Sequence, residues 1–279
     1  MGALTLGLIA ALCWGVHDTL VRYISQRVGV FQSLFPVLVS GCVATGCLAI
    51  ALGVGGLEGR AGAYAAASGV VFGLTGLAFY RALAIAPVRV VAPIVAAFPI
   101  LSVGWAVVNG QDVTALQWIA VLVVVGGCGF VAATSKDADG AGAQPAAILW
   151  SVAAAIGFAV SFALGQLSVE GGAEMTAIAV ARIGAVAIVG VLALMWRQPV
   201  IPHLSALPVL MVMGALDAIA IGAVMLAGSY AYHAFASVAA STFGVLTIIM
   251  AAVFLREAVA RIQWIGMLIV FAAIGYLAV

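Results

Sequence analysis

Charge is the scarcest feature of this chain. Only 7% of its 279 residues are Asp, Glu, Lys or Arg, whereas 66% are hydrophobic and the mean hydropathy is +1.31. A soluble globular domain carries about 25% charged residues, so the composition excludes that class and indicates an integral membrane protein. The net charge of +1 gives no sign of a nucleic-acid partner.

Motifs for chemistry are equally sparse. The four cysteines fall in apolar segments without a Cys-x-x-Cys pair, which disfavours disulfide and zinc sites. The patterns His-x-x-x-His, Asp-x-x-Asp and Gly-x-Ser-x-Gly are absent, so a membrane-embedded transferase is a weak alternative, and we predict no cofactor and no metal. The first apolar segment has neither a basic n-region nor a cleavage site, so we expect a retained helix.

Apolar segments of membrane-spanning length occupy nearly all of the chain. A helix needs about 20 apolar residues to cross the bilayer core, and turns and charges divide the sequence into ten such segments. The fold class predicted is therefore an all-α integral membrane protein with ten transmembrane helices. The spans predicted are 3–23, 32–53, 62–83, 88–108, 115–133, 147–168, 175–195, 205–228, 232–254 and 262–279.

An internal repeat relates the two halves. The segment QWIAVLVVVGGCGFVA (117–132) matches QWIGMLIVFAAIGYLA (263–278) almost end to end. Charged and glycine-rich residues between the halves indicate a linker loop over 134–146. We predict a first five-helix repeat over 1–133 and a second over 147–279. Because five crossings return the second copy from the opposite side, the repeats should be inverted, as in many secondary transporters.

Positive charge is distributed in agreement with this inversion. One side of the predicted topology, after helices 1, 3, 5, 7 and 9, holds Arg22, Arg27, Arg81, Arg89, Lys136, Arg197, Arg256 and Arg261, and the other side holds only Arg60. By the positive-inside rule the crowded side faces the cytoplasm. We therefore expect a multi-pass protein of the plasma membrane, the inner membrane in a bacterium, with both termini on the non-cytoplasmic side.

Three stretches resemble a known family over the whole chain. These are WGVHDTLVR in helix 1, YRALAIAPVRVVAPIVAAFPI at helices 3 and 4, and FLREAVARIQWIGMLIVFAAIGYLA at the end. They resemble the EamA-type branch of the drug/metabolite transporter superfamily, and within it the YddG-type amino acid exporters. The resemblance implies a secondary transporter, not an enzyme, that exports small metabolites by alternating access through a central cavity.

Polar residues at membrane depth are the candidate site. An ionisable side chain there costs at least about 2.5 kcal/mol, so it marks a functional face or a paired group. Trp14, His17 and Asp18 share one face of helix 1 by their spacing. The face that the repeat makes equivalent, on helix 6, presents Phe158, Ser161 and Phe162. We expect the two faces to meet in one cavity with aromatic walls and a few polar groups.

Structural explanations for these polar residues stay open. Asp18 could serve only as the partner of Arg22, four residues further along the helix. His17 could hydrogen-bond a neighbouring carbonyl and remain neutral. Arg182 in helix 7 and Asp217 in helix 8 either pair with each other or with backbone, or line the cavity.

Helices 3 and 4 supply the remaining candidates. Tyr80 ends a stripe of glycines that favours close helix packing, which leaves its hydroxyl able to reach the centre of the bundle. Pro93 and Pro99 remove backbone donors from helix 4 and free carbonyls that must find partners or line a cavity, so we predict a kink or gate there.

Aromatic walls with both signs of charge suit a zwitterion that carries an apolar side chain. We therefore predict an amino acid-like substrate, aromatic and apolar amino acids among them, with the lipid bilayer as the other partner. The alternative is an efflux transporter for organic cations, which would need an unpaired buried carboxylate, with Asp18 and Asp217 as candidates. The sequence specifies no oligomeric state, and a monomer is compatible with it.

Overall fold

The computed structural model describes residues 2–24, 28–53, 55–57, 59–86, 91, 94–133, 145–169, 172–254 and 260–277. The described residues form helices and no strands. The helices are α1 (Gly2–Ile24), α2 (Val30–Leu52), α3 (Arg60–Ile85), α4 (Phe98–Val108), α5 (Ala115–Ala133), α6 (Pro145–Val169), α7 (Glu174–Met195), α8 (Leu207–Leu226), α9 (Ala234–Ala240), α10 (Phe243–Phe254) and α11 (Arg261–Leu277).

Six of these helices are long and apolar enough to cross a bilayer, namely α1, α2, α3, α6, α7 and α8. Shorter apolar helices occupy the other predicted spans. This architecture confirms the all-α membrane class. Helix α6 begins at Pro145, two residues before the predicted start of the second repeat. Several residues named above lie outside the described part of the chain: Pro93, most of the linker, the side chain of Arg22, and the basic residues Arg27, Arg89, Lys136 and Arg256.

The fourth and ninth predicted spans are each interrupted at one turn. The turn at Ala96–Ala97 precedes α4, and the turn at Ser241–Thr242 separates α9 from α10. At the second turn the hydroxyls of Ser241 and Thr242 donate to the carbonyls of Val238 and Ala239 at 2.8 and 2.6 Å. Irregular backbone at membrane depth is tolerated where protein buries it, and Ala96, Ser241 and Thr242 are buried.

The kink expected in helix 4 therefore lies at Ala96–Ala97, and Pro99 follows it as the second residue of α4. A proline in the first turn of a helix needs no hydrogen-bond donor and has the right backbone angle. Pro99 thus starts a new helix segment and does not bend an existing one. The two interrupted spans correspond to each other in the repeat.

Helices of one half pack mainly on helices of the other. Helix α3 contacts α6 and α7, and the equivalent helix α8 contacts α1 and α2; α2 also contacts α7, and α5 contacts α11. Exchanging the two halves maps α3–α6 onto α1–α8 and α3–α7 onto α2–α8, and maps α2–α7 and α5–α11 onto themselves. The core of the protein is therefore the interface between the repeats.

Glycines bring the backbones of α3 and α7 into direct contact. A Cβ added at Gly69 would overlap the carbonyl of Ala181, and one added at Gly184 would lie 2.9 Å from the carbonyl oxygen of Ala66. A Cβ at Gly73 would lie 2.9 Å from the carbonyl oxygen of Ala185. These contacts support the interpretation of the stripe as a close-packing surface.

Replacing Gly69 by alanine should destabilise the protein by about 1 to 3 kcal/mol, the usual cost of overpacking, because the new methyl meets backbone and not a movable side chain. Thermal unfolding in detergent, followed by tryptophan fluorescence, measures the effect. Gly104→Ala on α4 is the matched control, since nothing lies within 4 Å of a Cβ added there. Equal unfolding temperatures for the two variants would contradict the packing argument.

Candidate functional site

A central cavity lies at the interface of the two repeats. The volume of the cavity that the centres of water molecules can occupy is ≈ 50 Å³. A single water needs about 10 to 15 Å³ of such volume. This volume corresponds to a few water molecules, so the central cavity is narrow in this conformation. Its lining consists of Trp14, His17, Asp18, Leu34, Val37, Phe72, Gly76, Phe79, Tyr80, Phe98, Phe158, Phe162, Asp217 and Phe243.

Aromatic rings from both halves form the cavity walls. The indole of Trp14 stacks on Phe162 with ring centroids 5.6 Å apart and contacts Phe158 at 6.1 Å. Phe98 contacts the same two phenylalanines at 5.5 and 5.8 Å. The faces of helices 1 and 6 thus meet, and Phe158 lies at the centre of the cluster, where Phe72 and Phe79 also reach it.

Asp217 receives hydrogen bonds on both carboxylate oxygens. Trp14 Nε1 donates to Oδ1 at 2.9 Å, and Arg182 Nη1 donates to Oδ2 at 2.6 Å. Arg182 is 2% and Asp217 5% exposed, so the pair is fully within the bundle. Both interpretations of these residues hold in part, because they pair with each other and Asp217 also lines the cavity. Arg182 lies outside the cavity lining, over the ring of Phe72.

Arg182 is only partly satisfied by this pairing. Its Nε and Nη2 atoms are buried and have no hydrogen-bond partner among the described residues. A buried charge needs both a counter-ion and hydrogen bonds. The carboxylate of Asp217 is therefore the main compensation for this guanidinium.

A second polar chain runs from Tyr80 through His17 to Asp18. The Tyr80 hydroxyl lies 3.3 Å from His17 Nε2, and His17 Nδ1 lies 3.0 Å from Asp18 Oδ1. An ionised carboxylate only accepts hydrogen bonds, so Nδ1 carries the proton, and in neutral His17 the Nε2 atom accepts from Tyr80. These hydrogen bonds of His17 are to side chains, whereas the structural explanation proposed a bond to a neighbouring carbonyl.

The two carboxylates of the cavity have different partners among the described residues. Arg182 balances Asp217, whereas the partner of Asp18 among the described residues is His17. The Asp18 side chain is 17% exposed and lines the cavity. Asp18 is therefore the carboxylate best placed to meet a positive group that enters. The side chain of Arg22 is outside the described part, so the alternative pairing of Asp18 stays a prediction.

Ser161 differs from the expectation. Its hydroxyl donates to the carbonyl of Ser68 at 3.2 Å, and the Ser68 hydroxyl donates to the carbonyl of Ser161 at 2.8 Å. These reciprocal bonds tie α3 to α6 and place Ser161 outside the cavity lining. The next residue on the helix, Phe162, lines the cavity. Ser161 is therefore one residue away from the side of the helix that faces the cavity.

Several lining residues were not identified from the sequence. Phe72, Gly76, Phe79 and Tyr80 follow the spacing of one helical face, so extending the stripe that ends at Tyr80 would have found the two phenylalanines. Phe98 and Phe243 carry no such signal. They enter the cavity because each is the first residue of the helix that follows the turn interrupting its span.

Two further cavities flank the central one along α6. The crevice near the start of α6 includes Trp150 and Gly157 and has ≈ 790 Å³ on the same measure; a pocket near its end includes Gln166 and has ≈ 150 Å³. At 1.5 Å per residue, Trp150 and Gln166 are about 24 Å apart along the axis, most of a bilayer core of about 30 Å. Helix α6 thus lines a series of cavities across most of the membrane.

Comparison with known proteins agrees with this architecture. A model of the EamA-like transporter family matches residues 1–133 and 145–279. One crystal structure of a protein superposes with a TM-score of 0.82 at 16% sequence identity, covering 98% of this chain and 94% of the other, which shows a shared fold. No curated protein sequence matches the chain. Since the family model covers nearly every residue, the chain belongs to the EamA-like transporter family, whose members are multi-pass membrane transporters of small molecules.

Proposed function

We propose that this protein exports amino acids, preferentially those with apolar or aromatic side chains, by alternating access. The observation that carries the proposal is the central cavity, where aromatic walls stand beside Asp18 and the Asp217–Arg182 pair. Pockets that orient small ligands combine apolar walls with a few placed polar groups in this way.

Each part of a zwitterionic amino acid has a partner in the cavity. The ammonium group would meet the carboxylate of Asp18, and the side chain would pack among Trp14, Phe158 and Phe162. The Tyr80 hydroxyl would donate its hydrogen bond to the substrate carboxylate in place of His17 Nε2. Trp14 is held in place by its bond to Asp217, so the aromatic wall and the charged pair act together.

The interrupted spans supply the movement that alternating access needs. Phe98 begins α4 and Phe243 begins α10, and both line the central cavity. A change of angle at either turn therefore moves a cavity wall. Because the turns are equivalent in the two repeats, the same movement can open the site first to one side and then to the other.

We further propose that the basic ends of the helices face the cytoplasm and that the membrane is the bacterial inner membrane. Arg81 and Arg197 lie at that end of the bundle, and Arg81 borders the wide crevice near the start of α6. Lys and Arg are retained on the cytoplasmic side during insertion. Substrate would then enter from this crevice and leave at the opposite end of α6.

Transport assays in proteoliposomes test the substrate class. The panel consists of radiolabelled phenylalanine, leucine, uridine and tetraphenylphosphonium, each assayed with and without a pH gradient. We expect saturable uptake of the two amino acids and background uptake of uridine, because a nucleoside offers no ammonium for Asp18.

The lipophilic cation tests the second candidate function, organic cation efflux. That function is favoured by the pairing of Asp18 with His17, and with no Lys or Arg, among the residues whose side chains are described. Saturable transport of tetraphenylphosphonium without transport of either amino acid would replace the amino acid proposal. Absence of saturable uptake for the whole panel would refute both.

A further inference from the structure

The pocket near the end of α6 has polar groups without partners. We call it the distal pocket; its lining is Ser102, Trp105, Ala106, Asn109, Gln111, Ala163, Gln166, Leu167, His233 and Ala234. Ser102 Oγ and Gln111 Nε2 are buried and make no hydrogen bond within the described residues, and Ser102 is 7% exposed. An unsatisfied buried polar group is costly, so these atoms favour a guest that hydrogen-bonds.

The wall of this pocket is held in a defined shape. The side-chain amide of Gln166 donates to the carbonyls of Val224 and His233, each at 3.2 Å. These bonds join α6 to α8 and to the turn before α9. The distal pocket is therefore a built cavity between helices of both halves.

Two aromatic rings separate the distal pocket from the central cavity. Ser102 follows Phe98 by one turn on α4, and Gln166 follows Phe162 by one turn on α6. The rings of Phe98 and Phe162 meet edge to face with centroids 5.5 Å apart, and their exposures are 1% and 0%. Both rings line the central cavity, and the next turn of each helix lines the distal pocket.

One ring of the partition belongs to a residue that directly follows a backbone turn. Phe98 is the first residue of α4 and directly follows the Ala96–Ala97 turn. A rotation about the backbone bonds of this turn would redirect the Phe98 side chain away from Phe162 and join the two cavities. The same rotation would move Ser102. The partition would therefore open at the same time as the Ser102 hydroxyl is presented to the guest.

The chemistry of the distal pocket selects a neutral or zwitterionic guest. Its described lining contains hydroxyl and amide groups and His233 but no Asp, Glu, Lys or Arg. We propose that the distal pocket is a second, transient station for the transported amino acid and that the Phe98–Phe162 pair is the gate between the two sites. The station rests on the function proposed above, whereas the gate follows from geometry alone.

The station is tested by Ser102→Ala, with Ser237→Ala as the matched control. Ser237 Oγ is also buried and without a partner among the described residues, but it does not line the distal pocket. With phenylalanine as the probe, we expect Ser102→Ala to lower the transport rate at least about fivefold while equilibrium binding changes less than about twofold, because a serine-to-alanine change removes a hydrogen bond worth about 1 kcal/mol. Ser237→Ala should change neither. Equal transport by the two variants would overturn the station, and transport by the unsubstituted protein would still uphold the proposed function.

The gate is tested without any substrate. In a cysteine-free background carrying Val37→Cys, which places a thiol in the central cavity, we measure the rate of labelling by a small water-soluble methanethiosulfonate. Phe98→Ala should raise this rate about tenfold, whereas Phe79→Ala, which removes another cavity ring outside the partition, should raise it far less. Equal rates in the two variants would overturn the gate, whether or not the protein proves to transport amino acids.

Discussion

Asp217→Asn is expected to abolish transport and to destabilise the protein by about 3 to 5 kcal/mol, the usual cost of removing one partner from a buried ion pair. A single amide oxygen would remain as acceptor for two donors, so either the bond from Trp14 Nε1 or the bond from Arg182 Nη1 would be lost. The buried Arg182 guanidinium would keep its charge without the carboxylate that compensates it. Thermal unfolding in detergent measures stability, and uptake of phenylalanine into proteoliposomes measures transport.

Replacing both partners separates the structural role of Asp217 from its role at the cavity. Well-packed apolar residues in place of a buried ion pair are often neutral or stabilising, so Arg182→Met with Asp217→Leu should recover most of the unfolding temperature. Transport should stay absent, because the double variant also removes the acceptor that holds Trp14 beside Phe162. Normal transport by the double variant would show that Asp217 acts in folding alone.

Asp18→Asn is expected to impair transport with the fold intact. Asp18 is 17% exposed and bonds to His17, so an amide of the same shape fits its place. Losing a hydrogen bond to a charged group costs about 1.5 to 3 kcal/mol, which corresponds to roughly 10- to 150-fold in apparent affinity. The KM for phenylalanine uptake measures this loss, and Glu174→Gln at the start of α7, away from the cavity lining, is the control.

The double variant Asp18→Asn with Arg22→Gln tests the alternative explanation of Asp18. If the carboxylate served only to pair with Arg22, neutralising both would restore transport to near the unsubstituted level. If Asp18 meets the ammonium of the substrate, the double variant should be as impaired as Asp18→Asn. Restored transport would indicate that Asp217, and not Asp18, binds the ammonium group of the substrate.

The helices and the pairing of faces were predictable because both depend on information that repeats along the chain. Spans such as 3–23 and 62–83 correspond to α1 (Gly2–Ile24) and α3 (Arg60–Ile85), since bilayer thickness sets the length of an apolar helix. The duplication aligned the face of Trp14 with the face of Phe158, and these rings meet in the structure at 6.1 Å.

The sequence alone determined the membrane class, the two repeats and the polar residues at membrane depth, because hydropathy and internal similarity are properties of the linear chain. The tertiary structure decided what each polar residue does. The Ser161 hydroxyl bonds to Ser68 at the α3–α6 contact. Phe98 and Phe243 reach the cavity from interrupted spans; prolines indicated the kink in helix 4, but no local pattern placed either ring in the cavity. A helical face extends over about 100°, so the neighbour that packs against it determines whether a given residue meets another helix or open space.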